Sequence, residues 1–217
     1  MKVELTVPNS LNEITLGQYQ EYLKLTELKD LTDIELSLKM IEIFCNVKLE
    51  YIRCIKANDV ADIVNIISNM FESKPSLVNT FKLNGVEYGF INNLDEMSFG
   101  EYIDLDTNIG DWDNIDKAMG VLYRPIEIRK GNRYHIKEYD AGDTEHLKDM
   151  PLDAVLGSIL FFYHLGNELC QVTMNSLGQT EETLLQEYLN SEQNGVGTHQ
   201  FMHSLNQILG DLKISLN

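Results

Sequence analysis

The sequence predicts an α+β protein, mostly helical, with small antiparallel β-hairpins packed on helices. Three observations predict it. Apolar residues recur at helical spacing in several separate stretches. An Asn84-Gly85 pair sits between two short β-type runs, and this dipeptide is a strong hairpin signal because both residues accept positive φ. A second turn, Lys130-Gly131-Asn132, is flanked by Ile126, Ile128, Tyr134, Ile136 and Tyr139. The chain has 217 residues, 43% of them hydrophobic and 24% charged, which suffices for one or two globular domains and argues against a wholly disordered chain.

In chain order, KVELTV alternates and reads as a short strand ended by Pro8-Asn9-Ser10. Thr15 caps a helix running through Leu25, with Leu16, Tyr19, Tyr22 and Leu23 on one face. A second helix starts near Asp33, with Ile34, Leu38, Ile41 and Phe44/Cys45 as its apolar stripe. A third, short helix covers Lys48–Ile55. The next starts at an Asn58/Asp59 cap and repeats Val60, Ile63, Ile67 and Met70/Phe71. The Asn84-Gly85 hairpin follows, then a helix capped near Ser98 and one ended by Pro125. After the second hairpin, Pro151 stands at the first turn of the most apolar helix, and a further helix spans Thr180 to Leu189. Asn190–Thr198 reads as a linker leading to an amphipathic C-terminal helix with Phe201, Leu205 and Ile208/Leu209. The expected organisation is a first unit over 1–80, a second over 81–189, and a linker with a terminal helix over 190–217.

Two stretches repeat at a constant offset of 83 residues. Leu11-Asn12-Glu13-Ile14-Thr15-Leu16-Gly17-Gln18-Tyr19 stands against Leu94-Asp95-Glu96-Met97-Ser98-Phe99-Gly100-Glu101-Tyr102. Thr or Ser caps a helix, Ile or Met before it acts as a staple, and Tyr anchors the helix to the core. Glycine in a helix costs about 1 kcal/mol against alanine. Its use in both copies predicts another backbone close by. The pattern reads as a duplicated structural element.

The chain carries 34 acidic against 17 basic residues, a net charge of −17. That balance disfavours a nucleic-acid backbone or an anionic lipid surface as partner. Three cysteines, none in a C-x-x-C pair, offer neither a disulfide framework nor structural zinc. Cys45 and Cys170 read as buried free thiols. MKVELTVPNS does not have the form of a signal peptide, and Leu152–Leu169 is interrupted by Gly157, Ser158, His164 and Gly166, so it reads as a buried helix. A soluble protein of a reducing cytoplasm is expected.

No motif for catalysis or for a cofactor stands out. G-x-G-x-x-G, G-x-x-x-x-G-K and G-x-S-x-G are absent from the sequence. Asp104-Leu-Asp106-Thr-Asn108 resembles a calcium loop, but Ile109 and Ile115 stand where glycine and glutamate are needed, so an acidic loop is expected. His199 and His203 read as exposed tail residues, His164 as a hydrogen-bonded core histidine, and His135 and His146 as loop residues. No catalytic, cofactor-binding or metal-binding residue is assigned. The partner-binding candidates are Trp112, the basic cluster Arg124, Arg129, Lys130 and Arg133, and Phe201 and Leu205 on the terminal helix. Each has an ordinary alternative: Trp112 as a lid over the core, the cations paired internally, the tail folded back.

Ala118–Ile126 (AMGVLYRPI), the Tyr/Gly hairpin after it, Met150–Leu169 (MPLDAVLGSILFFYHLGNEL) and Leu11–Lys24 (LNEITLGQYQEYLK) resemble small proteins from the virion-morphogenesis region of tailed bacteriophages, including crAss-like phages. The resemblance covers roughly Leu11–Leu169. It implies a non-enzymatic assembly factor, similar to tail assembly chaperones, that binds phage virion proteins in the host cytoplasm. The alternatives are a structural component of the particle (neck, tail or capsid) and a small enzyme whose site has no motif. Homo-oligomer formation is left open.

Overall fold

The structure is a computed structural model that describes residues 5–28 and 31–177, with side chains described as far as Glu168. The helix expected from Thr180 to Leu189, the linker, the terminal helix with Phe201 and Leu205, His199 and His203 lie outside the described residues.

Among the described residues the fold is α+β, with seven α-helices and one four-stranded antiparallel sheet. Helix α1 spans Leu16–Thr26, α2 Asp33–Phe44, α3 Leu49–Ile52 and α4 Ala57–Phe71. Strands β1 (Thr80–Leu83) and β2 (Val86–Phe90) form the first hairpin, with Asn84 and Gly85 at φ 51° and 82° as a type I′ turn requires. Helices α5 (Phe99–Asn108) and α6 (Ile115–Leu122) come next. Strands β3 (Tyr123–Lys130) and β4 (Arg133–Ile136) form the second hairpin, with Gly131 at φ 63° in its turn. Helix α7, Leu152–Leu177, closes the described chain.

The two hairpins join into one sheet of order β1-β2-β3-β4, because β2 pairs with β3 in the register Tyr88↔Pro125, Gly89↔Arg124, Phe90↔Tyr123. One face carries Phe81, Leu83, Tyr88, Phe90 and Tyr123, all buried. Phe90 meets Tyr123 and Phe161 edge to face, so α7 packs on this side. The other face is crossed at Gly89 by Tyr134, whose hydroxyl donates to Asn79 O (3.1 Å) and Phe90 O (2.9 Å). A Cβ on Gly89 would come within 2.8 Å of Cδ2 of that ring, which explains the glycine.

The buried residues from Leu11 to Phe162 form one cluster. Aromatic contacts tie its helical part together: Tyr19 and Phe44 both pack on Phe71, and Tyr22 on Phe44. Helix α7 supplies the most heavily buried stretch, Leu152 to Leu160. Its Gly157 lies against the segment entering β1, with Leu77 Cα 3.3 Å from where a Cβ would stand. Tyr123 fixes the same segment from the other side, donating to Val78 O (2.8 Å) and Ala154 O (3.3 Å). No helix among the described residues is long and apolar enough to cross a membrane.

Several local expectations are corrected. Leu5–Val7, the described part of KVELTV, forms no strand, since alternation supplies no pairing partner by itself. Ile34 is 74% exposed and lies outside the buried face of α2, which is Met40, Ile41, Ile43 and Phe44. Helix α3 is shorter than expected, and α4 starts at Ala57 after Lys56, with no side-chain cap. Helix α6 ends at Leu122, before the proline, and Pro125 lies inside β3. Pro125 O accepts from Lys137 N–H (2.8 Å) on the β4 side, where the ladder has ended, so the ring nitrogen deprives β2 of no bond. The expected acidic loop at Asp104–Asn108 is helical, within α5. His164 is exposed instead of buried, and His135 stands in β4 instead of a loop.

Candidate protein-binding surfaces

The repeated motif adopts the same local structure twice. In each copy a 3-10 turn (Leu11–Glu13, Leu94–Glu96) leads through an extended residue (Ile14, Met97) into a capping box. Thr15 Oγ1 accepts from Gln18 N–H at 3.2 Å while Gln18 Oε1 accepts from Thr15 N–H at 3.0 Å. Ser98 Oγ accepts from Glu101 N–H at 3.3 Å while Glu101 Oε2 accepts from Ser98 N–H at 2.7 Å. Both satisfy helix-end donors that would otherwise lack partners.

The residue at the third helical position also ties each cap to a neighbouring element. Gln18 Nε2 donates to Ile43 O (2.7 Å), where a neutral donor suits a carbonyl. Glu101 Oε1 instead meets Arg124 Nη1 of β3 at 3.0 Å, with the two side chains only 8% and 12% exposed. Arg124 also lies over the Tyr139 ring, and Tyr139 donates to Asp104 Oδ2 at 2.7 Å. Burial first, then the hydrogen bond and charge of Asp104, raise the Tyr139 hydroxyl well above its ordinary value. Arg124, one of the sequence candidates, is thus held in a polar network between α5, β3 and the segment that follows β4.

The other candidates are dispersed. Trp112 is half-buried, meets Tyr19 edge to face at 5.0 Å, and its carbonyl accepts from the buried Gln20 Nε2 at 2.6 Å. It packs as a lid over the core. Arg129 pairs with Glu87 across β2 and β3. Among the described residues, Lys130 and Arg133 have no acidic partner within 4 Å, and both are exposed. They flank the turn of a two-stranded ribbon whose residues 127–133 are all exposed, Ile128 at 64%.

One surface had no place in the sequence reading. Phe99 (78% exposed) and Ile103 (45%) share a face of α5, one turn apart. Their helical spacing was legible, but that signal predicts a buried face. Beside α5, a cleft of about 310 Å³ is lined by Asp104, Asp116, Asp140, Asp143 and Glu145. Thr144 donates to Asp116 Oδ2 at 2.6 Å in it. A second cleft of about 360 Å³, at the end of β2, is floored by Leu77, Phe90 and Phe161 with Asn79, Asn92 and Asn93 at its rim.

Two measurable consequences arise here. Asp106 Oδ1 is enclosed with no hydrogen-bond donor among the described residues, and burial raises its carboxyl above the ordinary 3.8. The fold therefore favours the protonated form, and that contribution is lost as pH rises through 3.8 and the raised value. Asp106→Asn should stabilise the protein at neutral pH and change little below 3.8, as read by urea unfolding at both. Of the two thiols whose side chains are described, Cys54 is exposed, whereas Cys45 is half-buried instead of fully buried and its thiol is pushed up to about 11 by desolvation; the side chain of Cys170 lies outside the described residues. Alkylation at neutral pH, followed by peptide mass spectrometry, should modify Cys54 well before Cys45, because the thiolate is the reactive form.

Compared with known proteins, the chain matches no family model, no curated protein and no solved structure.

Proposed function

We propose that the protein is a non-enzymatic assembly factor that binds a tail or other virion protein of a tailed phage, in the manner of a tail assembly chaperone, and acts in the host cytoplasm during particle assembly. The observation that carries the reading is the exposed outer end of the β3–β4 ribbon, residues 127–133. Ile128, Lys130 and Arg133 stand exposed at its outer end on a chain of net charge −17. A solvated two-stranded ribbon is marginal by itself and gains from being covered. Its cations suit acidic groups on a partner, while the acidity of the rest of the chain opposes self-association and keeps a bound partner dispersed. The resemblance of Leu11–Leu169 to morphogenesis proteins supports the virion as the setting. Neither a cofactor nor contact with nucleic acid is part of this role.

Quantitative mass spectrometry of purified particles and of the matching infected-cell lysate tests it. The expected result is abundant protein in the lysate and none in finished particles. A fixed copy number per particle would make the protein a structural component instead.

A further inference from the structure

The two copies of the repeated motif differ in what covers them. In the first, residues 148–152 run antiparallel to the helix start. Leu16 N–H donates to Met150 O and Leu152 N–H donates to Ile14 O, both at 2.9 Å, so that Thr15 and Pro151 form an isolated bridge. Gly17 lets this segment approach: its absent Cβ would stand 3.2 Å from Lys148 O. Ile14 and Leu16 are fully buried as a result.

The second copy has the same local backbone and, among the described residues, no cover. Phe99, in the place of Leu16, is 78% exposed, and Met97, in the place of Ile14, is only half-buried. Gly100, in the place of Gly17, has nothing within 4 Å of its missing Cβ. Among the described residues neither Phe99 N–H nor Met97 C=O has a backbone partner. Asp95 and Glu96 stand exposed beside them, and Ile103 extends the apolar face by one turn.

The geometry points to a binding site at Met97–Ile103 for an extended segment of a partner protein, taken up as the first copy takes up residues 148–152. Recognition has three parts. The occupant supplies one carbonyl to Phe99 N–H and one N–H to Met97 C=O, in a single antiparallel bridge. An apolar side chain covers Phe99 and Ile103, 78% and 45% exposed, and removes their apolar surface from water. A basic residue directly after the position that Leu152 holds in the covering segment of the first copy stands opposite Glu96, with Asp95 beside it. Gly100 is kept because the occupant's backbone passes where its side chain would be. The site stands apart from the ribbon and from any virion role, so either reading can fail alone.

The test uses the full chain and a fluorescein-labelled peptide of residues 145–156 carrying Asp153→Lys, which puts a cation opposite Glu96, followed by anisotropy. Saturable binding is expected. Phe99→Glu and Gly100→Val should each weaken it at least tenfold without lowering the melting temperature, since Phe99 is 78% exposed and a Cβ on Gly100 meets nothing within 4 Å. No saturation up to millimolar peptide overturns the site. Binding that survives Gly100→Val also overturns it, because the peptide is then displacing its own counterpart at the first copy. Benzoylphenylalanine at position 99 supplies the second readout: a photo-adduct with the peptide is expected. A link to residues 178–217 of the same chain, or to a second chain, would replace the partner with that occupant.

Discussion

Replacing Glu101 by alanine is expected to lower stability by about 3–5 kcal/mol, the range for stranding one member of a buried ion pair. Both carboxylate oxygens are committed, one to Ser98 N–H and one to Arg124 Nη1. Their loss leaves Arg124 without its anion, and Arg124 Nε already lacks an acceptor among the described residues. At roughly 2–4 °C per kcal/mol for a chain of this size, the melting temperature should fall by on the order of 10 °C. Glu101→Gln keeps an oxygen for the cap and should lose less. Joint replacement of Glu101 by glutamine and Arg124 by methionine should recover much of the loss, because no charge is then stranded. The effect of Glu101→Ala should persist in high salt, since buried pairs are poorly screened. A shift of a degree or less would mean that solvent reaches the pair.

Gly157→Ala should also destabilise, against the direction that helix propensity predicts. Alanine in a helix interior is favoured over glycine by about 1 kcal/mol. Here the new methyl would be driven into the carbonyl of Ser76 and stand 3.3 Å from Leu77 Cα, and backbone cannot rotate away as a side chain can. Overpacking of this kind costs about 3 kcal/mol at the upper end of its usual range, leaving a net loss of about 2 kcal/mol. Thermal unfolding followed by circular dichroism decides the sign. A higher melting temperature would show that the segment before β1 yields. The same substitution at Gly100, which faces open space, should follow propensity.

The contrast between these glycines shows what was legible in the sequence. The repeat, its caps at Thr15 and Ser98, and the Asn84-Gly85 and Gly131 turns are local chemistry, and the structure has all of them. A close backbone approach was expected at both Gly17 and Gly100, but only Gly17 has one. That depends on residues 148–152, far along the chain, and no local pattern encodes it. The joining of the hairpins into one sheet is likewise a long-range event, set by the pairing of β2 with β3 across α5 and α6. Ile34 and Phe99 mark the same limit from the other side: helical spacing marks an apolar face but not whether anything is there to bury it. Of the candidate surface, Arg124 and Arg129 were visible as cations, yet their partners Glu101 and Glu87 were not.

The Thr15–Pro151 bridge joins the beginning of the described chain to the start of its last helix. Proteins are synthesised from the N-terminus at about 5–20 residues per second. The segment that covers Ile14 and Leu16 therefore leaves the ribosome on the order of 10 s after they do. The β1–β2 hairpin, whose partners are sequence neighbours, can close within about 10 μs of emerging. The first repeat thus spends most of the chain's synthesis in the uncovered condition that the second repeat keeps, with its apolar helix start open to whatever the nascent chain meets.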